Sequence, residues 1–267
     1  MDFVIPTLGR IDKQITLRNI PEKYHGNTYL VVQEHEYDEM VEKYPSANVW
    51  KLPAGTEGLA LTRGIIAREW NGERYFCLDD DLKFVRLNPE TLKANREITE
   101  QDFDDMIAMI EAKMDEGYVH GGLAVNNTPP SPDPFNYCSR IYTNVFYSEN
   151  LPVSEVNWYV HNKQCAQDFY VNLQLLTKGY QNVVFNHFRV DTAATNAKGG
   201  VELYRTIEWN NKWQDFIAES FPEFAETYEK TQSTGPWAGK VKKALRIKWK
   251  KAYESSKNND FDLTSFL

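Results

Sequence analysis

The stretch that decides the fold is YFCLDDDL, residues 75–82, in which an apolar run ends abruptly in three carboxylates. Four apolar residues in a row predict a strand buried on both faces, as in a parallel sheet. Because side chains alternate along a strand, we expect Asp79 and Asp81 to point to one side and Asp80 to the other. Two carboxylates at the C-terminal edge of a sheet form an oxygen site suited to Mg²⁺ or Mn²⁺. The alternative is a solvated turn or a helix start, where Asp is also common.

The composition is that of an ordinary globular protein. Its 267 residues, 42% hydrophobic and 25% charged, suffice for one large α/β domain or one domain with a small appendage. No apolar run approaches the roughly 20 residues that span a bilayer, and the N-terminus lacks the pattern of a signal peptide. Three scattered cysteines predict reduced thiols. We therefore expect a cytoplasmic protein with no transmembrane segment.

Strand and helix patterns alternate on both sides of the acidic stretch. Strands are predicted at residues 3–5, 28–32 and 48–52, and helices at residues 13–20, 37–44 and 59–70. This order predicts an α/β fold whose mostly parallel sheet is flanked by helices. Further along the chain, TEQD at residues 99–102 carries a helix N-terminal signal, and a helix at residues 168–178 is expected to end at Gly179.

The charge is unevenly distributed along the chain. A net charge of −8 argues against a nucleic-acid partner, yet residues 240–251 hold seven basic side chains and no acidic one. With Leu245, Ile247 and Trp249 interleaved, this segment predicts a basic helix that binds nucleic acid or an anionic membrane surface. The alternative is a solvated charged helix. We divide the chain into a domain at residues 1–230 and a basic helical C-terminal extension at residues 231–267.

Four short motifs follow one another along the chain: VIPTLGR at residues 4–10, GLALTR at 58–63, LDDD at 78–81 and QDFYVNL at 167–173. In this order they resemble the motifs of glycosyltransferases of the GT-A fold. The first resembles the loop that grips the nucleoside, the third resembles the metal-binding Asp-x-Asp, and the fourth resembles the segment with the catalytic base. The resemblance covers roughly residues 3–190. It implies a GT-A fold, a UDP-sugar donor and a Mn²⁺ or Mg²⁺ cofactor.

The resemblance makes Asp168 the expected catalytic base of an inverting reaction. Such a base accepts the proton of the acceptor hydroxyl as that hydroxyl attacks the sugar. A position near a helix N-terminus favours the ionised carboxylate that a base requires. The family usually has two adjacent acids here, whereas Gln167 precedes Asp168 in this chain. The alternative role of Asp168 is a simple helix cap.

Metal and donor contacts are expected from residues near the strand ends. The resemblance implies that Asp79, Asp81 and His187 hold the metal, although His187 could equally be a buried, hydrogen-bonded histidine. Arg63 is expected to bind a phosphate, and its alternative is a surface ion pair. The full set of expected donor-binding residues is Thr7, Arg10, Gln33, Arg63, Asp79 and Asp80.

The acceptor is the part of the function that these residues determine least. In its overall organisation the chain resembles bacteriophage glycosyltransferases that modify hydroxymethylated pyrimidines in DNA, which implies double-stranded DNA as a partner and the host cytoplasm as the location. The loop at residues 126–137 is then expected to line the acceptor cleft. Whatever the acceptor, the small residues at positions 193–200 suit a lid that closes over the donor, and the alternative is an ordinary mobile loop. Expected acceptor contacts are Trp158, Tyr159, His161, Lys242, Lys243 and Lys248.

Two other functions remain open at this point. The first is the same chemistry on a glycan, lipid or protein hydroxyl, with the basic segment addressing a membrane or a partner. The second is a metal-binding α/β protein that resembles nucleotidyltransferases or has no enzymatic activity. Release of a nucleoside diphosphate that depends on Mn²⁺ would separate the glycosyltransferases from this second class.

Overall fold

The computed structural model describes residues 1–92, 95–192 and 200–257. The strands of these residues are β1 (Asp2–Pro6), β2 (Thr28–Val32), β3 (Asn48–Lys51), β4 (Tyr75–Leu78), β5 (Lys83–Leu87), β6 (Asn95–Glu97), β7 (His120–Val125), β8 (Phe135–Tyr137), β9 (Asn144–Tyr147), β10 (Val183–Asp191), β11 (Ala225–Thr231) and β12 (Val241–Ile247). The α-helices are α1 (Ile15–Asn19), α2 (Tyr37–Lys43), α3 (Leu59–Glu69), α4 (Glu100–Asp115), α5 (Gln167–Thr177), α6 (Ile207–Ser220) and α7 (Trp249–Lys257). None of these helices combines the length and the apolar character that a bilayer crossing needs.

The centre of the fold is a ten-stranded sheet in the order β3-β2-β1-β4-β9-β7-β10-β5-β6, with β8 paired to β10. Its first four strands are parallel. Phe3 and Ile5 of β1 pack into one hydrophobic core, and Val4 packs into a second core on the other face of the sheet. Helix α4 contributes to the first core, whereas α3 and α5 contribute to the second. This arrangement of helix, sheet and helix layers confirms the predicted α/β fold.

Beyond β4 the sheet is mixed. Strand β9 lies antiparallel between β4 and β7, and β10 is parallel to β7 but antiparallel to β5. A strand that is covered on both faces is an apolar run whatever the direction of its neighbours. The apolar pattern therefore predicted buried strands correctly but left their direction undetermined in this half of the sheet.

The basic segment differs from the helix that its composition predicts. Strands β11 and β12 form a separate antiparallel hairpin, and only α7 is helical. Leu245 and Ile247, which lie two residues apart, pack against a hydrophobic cluster that includes residues of α5, α6 and α7. This two-residue spacing is that of a strand with one apolar face. The predicted domain boundary after residue 230 falls inside β11, so the predicted helical extension is wrong for residues 231–247.

Candidate active site

A cleft of about 380 Å³ opens where β1, β2 and β4 end. This is the edge at which open α/β sheets bind their ligands. The cleft brings together every residue predicted to bind the donor, together with two predicted metal ligands and the predicted base. These residues are Thr7, Arg10, Gln33, Arg63, Asp79, Asp80, Asp81 and Asp168.

The three carboxylates after β4 form an acidic turn, residues 79–81. The strand ends at Leu78, so the predicted alternation of side chains beyond it is wrong. Nη1 of Arg10 lies 2.5 Å from Oδ1 of Asp80 and 2.9 Å from Oδ2 of Asp81. Asp79 instead accepts a hydrogen bond of 2.6 Å from Nη2 of Arg63. The structure thus pairs Asp81 with Asp80 because the chain turns where a continuing strand would have separated them.

A hydrogen-bond chain behind the acidic turn fixes Asp80. Oγ1 of Thr7 donates to Oδ2 of Asp80 at 2.6 Å, and Nε2 of Gln14 donates to Oγ1 of Thr7 at 2.9 Å. Asp80 and Gln14 are both buried. The loop after β1 is therefore bound to the acidic turn through the threonine that the first motif contributes.

Thr16 holds the backbone of the same turn from α1. Its hydroxyl donates to the carbonyl oxygen of Asp79 at 2.5 Å and accepts from the backbone N–H of Leu82 at 2.9 Å. Its own N–H donates to the carbonyl oxygen of Asp80. Thr16 is fully buried. This residue was missed in the sequence, where nothing distinguishes it from other threonines.

Replacing the Thr16 hydroxyl should disturb both stability and the acidic turn. In Thr16→Val the side chain keeps its shape, but the partly buried carbonyl of Asp79 and the buried N–H of Leu82 lose their partner, and a buried group without one costs about 1–3 kcal/mol. We expect a lower midpoint of urea unfolding and weaker binding of UDP, the nucleotide that the resemblance implies. Thr177→Val is the control, because the Thr177 hydroxyl bonds carbonyls of its own helix far from the cleft. Equal UDP affinity in Thr16→Val and wild type would contradict this role.

Arg63 reaches the cleft because α3 begins at a glycine. Gly58 has a φ of +95°, and a Cβ there would lie 2.2 Å from the carbonyl oxygen of Asn162. The Arg63 side chain is only 14% exposed. Its Nη2 bonds Asp79, and its Nη1 lies 3.5 Å from Oε1 of Gln167. Arg63 therefore lies between the acidic turn and the start of α5. It forms its ion pair with Asp79 inside the cleft, so the alternative of a surface ion pair is wrong.

Asp168 lies in the first turn of α5 and faces the same cleft. Its Oδ1 accepts a hydrogen bond of 3.0 Å from the N–H of Phe169. The preceding Gln167 is buried and donates from Nε2 to the carbonyl oxygen of Trp158, so it braces the helix start. Ala166 has a φ of 54°, in the left-handed region that non-glycine residues rarely adopt. Strain of this kind is concentrated at functional sites.

Burial changes the acidity of the cleft carboxylates. It raises the pKa of Asp79 to about 7, against the opposing charge of Arg63. Burial also raises the pKa of Asp80, against Arg10, and the pKa of Asp168, against Arg63 and nearby backbone N–H groups. Carboxyl groups with raised pKa values in a cleft are candidates for proton transfer and ligand binding.

The donor atoms of the acidic turn suit a hard divalent cation. Oxygens of Asp80 and Asp81 converge on one nitrogen of Arg10, so the turn already surrounds a positive charge with carboxylate oxygen. Oxygen ligands of this kind are those that Mg²⁺ and Mn²⁺ prefer. Among residues 1–92, 95–192 and 200–257, no three acidic, histidine or cysteine side chains converge as they would around a bound ion. The suitability of the acidic turn for a divalent cation therefore rests on two observations: its ligands are carboxylate oxygens, and those of Asp80 and Asp81 meet at one point.

His187 is not near the acidic turn. We expected it just after a strand, but β10 continues to Asp191, and His187 lies within it. Its Nε2 lies 3.2 Å from the carbonyl oxygen of Ser131, and it does not line the cleft. The length of β10 thus corrects its assignment as a metal ligand and supports the alternative of a hydrogen-bonded histidine.

Most predicted acceptor residues lie outside the cleft. Trp158 is only 3% exposed and donates from Nε1 to the carbonyl oxygen of Val153, so it is a core residue. Tyr159 packs against Arg68, and the exposed His161 packs against aromatic rings of α6. Of the six predicted acceptor contacts, Lys242 alone lines the cleft as the described residues form it.

The remaining acceptor predictions have simple structural explanations. Lys243 is paired with Asp215, and Lys248 is exposed on the surface. The loop at residues 126–137 leads into β8 and is held on β10 by Arg189, which donates to the carbonyl oxygens of Thr128 and Asn126. It therefore does not line the cleft. Of the predicted lid, residues 193–199 lie outside the described residues, and Gly200 lines the cleft.

One further cleft residue was missed in the sequence. Gln164 is buried, and its Oε1 accepts the backbone N–H of Val160 at 3.0 Å. Within the described part of the chain its Nε2 has no hydrogen-bond partner. No local signal marks this residue, because its position depends on the loop that precedes α5.

The acidic turn, Arg63 and Asp168 line one cleft, and they are residues to which the resemblance to GT-A glycosyltransferases assigns donor, metal and base roles. Comparison with known proteins agrees, since residues 1–200 match the family described as TAGT: TET-Associated Glycosyltransferase. The chain belongs to this family and is therefore a glycosyltransferase.

Individual relatives and a solved structure extend this result. The protein named beta-glucosyl-HMC-alpha-glucosyl-transferase of Enterobacteria phage T6 is 28% identical over 249 residues, and that of phage T2 is 27% identical, each match covering 88% of both chains. The crystal structure of GalNAc-T7 with UDP, GalNAc and Mn²⁺ has a TM-score of 0.51 at 13% identity. That match covers 83% of this chain and 50% of the other, and it supports the fold alone.

Proposed function

We propose that this enzyme transfers a sugar from a UDP-sugar to a hydroxyl on hydroxymethylated pyrimidine in DNA, either the base hydroxyl or a hydroxyl of a sugar already attached to it. The observation that carries the chemistry is that Asp168 and the acidic turn face one cleft. Two phage enzymes whose names contain glucosyl and HMC are similar to this chain along 88% of its length, and this similarity supports hydroxymethylated DNA as the acceptor. The same acceptor implies action in the cytoplasm of an infected host.

The donor would occupy the part of the cleft beneath the ends of β1 and β2. Thr7 and Gln33 line this part and offer polar groups for the nucleoside, and Asp80 is fixed beside Thr7. Arg10 and Arg63 each bond a carboxylate of the acidic turn. Both guanidinium groups also suit the two-point recognition of phosphate oxygens. This set supports the binding of a nucleoside diphosphate.

We infer that Asp81, together with Asp80, whose carboxylate oxygen meets that of Asp81 at Nη1 of Arg10, holds a divalent cation. Asp81 is the most accessible partner of Arg10, since 18% of its side chain is exposed against 7% for Asp80. When bound, Mn²⁺ or Mg²⁺ stabilises the negative charge of a departing diphosphate. Arg63 opposes the effect of burial on Asp79 through the hydrogen bond that they share, and so favours the ionised form of a carboxylate whose pKa burial raises to about 7.

Asp168 would act as the base. The acceptor oxygen forms a bond to the anomeric carbon of the sugar, the bond from that carbon to the diphosphate oxygen breaks, and the electron pair leaves with the diphosphate. The hydroxyl proton moves to the carboxylate of Asp168. A base opposite the leaving group fits an inverting reaction. Phe169 N–H and Arg63 favour the ionised form of this carboxylate.

Mass spectrometry of treated DNA tests the proposal. Duplexes that carry cytosine, hydroxymethylcytosine or glucosylated hydroxymethylcytosine are incubated with the enzyme, Mn²⁺ and a panel of UDP-sugars. We expect a sugar mass on a hydroxymethylated duplex, bare or glucosylated, and none on plain DNA. Release of UDP without any change of the DNA would keep the glycosyltransferase and reject DNA in favour of a glycan, lipid or protein acceptor.

A further inference from the structure

Two cations of the cleft wall lie against one indole ring. Trp237, in the connection between β11 and β12, is only 6% exposed. The guanidinium carbon of Arg205 lies 5.6 Å from the centroid of this ring, and Nζ of Lys242 lies 5.4 Å from it. Both cations line the cleft that holds the acidic turn. A buried aromatic ring with a cation beside it stabilises the position of that cation.

Lys242 differs from Lys243 and Arg246 on β12 because, among the described residues, it has no carboxylate as an ion-pair partner. Lys243 has both oxygens of Asp215 within 2.7 Å, and Arg246 pairs with Glu226. Within residues 1–92, 95–192 and 200–257, no acidic group lies within 4.0 Å of Nζ of Lys242. Its side chain is nevertheless partly buried. A partly buried charge without an opposite charge is unfavourable, so an anion bound from solution would stabilise it.

Positively charged neighbours act on Lys242. Burial lowers its pKa, and the neighbouring charges of Arg205 and Lys230 lower it further. A group that is destabilised as a cation by its protein neighbours gains most from an anionic ligand. Because the enzyme handles a diphosphate and, in the proposed function, a DNA backbone, phosphoryl oxygens are the anions that the reaction would bring to this wall.

We propose that Arg205 and Lys242, positioned by the ring of Trp237, form a binding site for a phosphoryl group on the wall of the cleft. The identity of the ligand, a phosphoryl group, depends on the proposed function. The phosphoryl group comes either from the diphosphate of the donor or from a phosphodiester of the DNA acceptor, and both offer the same oxygens to the two cations.

Lys242→Gln in the full chain tests the site with two probes, a hydroxymethylated 20-base-pair duplex and UDP. If the ligand is a phosphodiester, the slope of log affinity against log salt should fall by about 0.9, the contribution of one phosphate contact. If it is the diphosphate, UDP affinity should fall about tenfold, as expected for one lost charge-assisted hydrogen bond. Arg205→Gln should give the same pattern, and Lys242→Arg should restore the affected quantity.

Lys178→Gln is the matched control, since Lys178 is exposed at the end of α5 remote from Asp168. Unchanged affinity for both probes in Lys242→Gln, relative to this control, would overturn the site. Failure of this site can be distinguished from failure of the proposed DNA acceptor. If the wild-type enzyme neither binds nor modifies DNA, a tenfold loss of UDP affinity in Lys242→Gln still supports the site, and an unchanged UDP affinity rejects it.

Discussion

Asp168→Asn should reduce sugar transfer by about 10²–10⁴-fold, the usual contribution of a positioned general base. The substitution keeps the shape of the side chain and an oxygen that can accept the N–H of Phe169, so the start of α5 should keep its structure. UDP affinity should stay within a factor of about two, because the loss concerns proton transfer rather than donor binding.

Initial rates of transfer and UDP titrations of the same preparation check this expectation. Asp38→Asn is the control, because Asp38 is exposed on α2 and does not line the cleft. A variant that transfers sugar at more than a tenth of the wild-type rate would show that another group accepts the proton.

The pH dependence of the reaction should report the same residue. Burial raises the pKa of Asp168 above the ordinary aspartate value of about 3.9. Below that raised pKa the carboxyl group is protonated and cannot accept a proton, so the wild-type rate should fall as the pH falls through it. The residual rate of Asp168→Asn should lack this dependence, which a role as a helix cap would not predict.

Asp81→Ala should abolish the part of UDP affinity that depends on Mn²⁺, a loss of about a hundredfold or more for a direct ligand. The turn itself should survive, because Arg10 keeps Asp80 as a partner at 2.5 Å. Isothermal titration with UDP, in the presence of Mn²⁺ and of a chelator, separates the two contributions. Manganese titrations followed by electron paramagnetic resonance should show the loss of a site without reference to activity.

Asp38→Ala, which removes an exposed carboxylate outside the cleft, should leave both titrations unchanged. If Asp81→Ala also binds UDP as wild type does, with and without Mn²⁺, the assignment of Asp81 to the metal fails. The diphosphate would then be bound by Arg10 and Arg63 without a cation, which their forked guanidinium groups would permit.

Local signals in the sequence predicted the catalytic half of the fold. The runs that became β1, β2 and β4 are mostly apolar because both faces of the sheet are covered. The N-terminal signal of α4 is a capping box in the structure, with Thr99 and Asp102 bonding each other's backbone N–H. Such features depend on neighbours in the chain, so they can be recognised without knowledge of the tertiary structure.

The parts that were predicted wrongly depend on distant residues. The acidic turn takes its shape from Thr16 and from the carbonyl oxygen of Thr143, which accepts the N–H of Asp79. The strand β12 exists because it pairs with β11, and its charges obscured a two-residue apolar spacing. Trp158 is among the predicted acceptor contacts, but only the packed structure reveals that it lies in the core. Arg205 and Trp237 have no local motif, since only the folded chain brings them into contact.

The two-stranded hairpin at residues 225–247 also affects the order in which the enzyme can mature. Thr7 follows the first strand and Lys242 lies in the last, yet they line one cleft. During synthesis from the N-terminus, the parallel strands and their carboxylates emerge well before the hairpin does. A nascent chain can thus hold its acidic turn while one wall of the cleft is still missing. Local opening of the hairpin in the finished protein would recreate this state, and hydrogen exchange should then be faster in β11 and β12 than in β1 and β4.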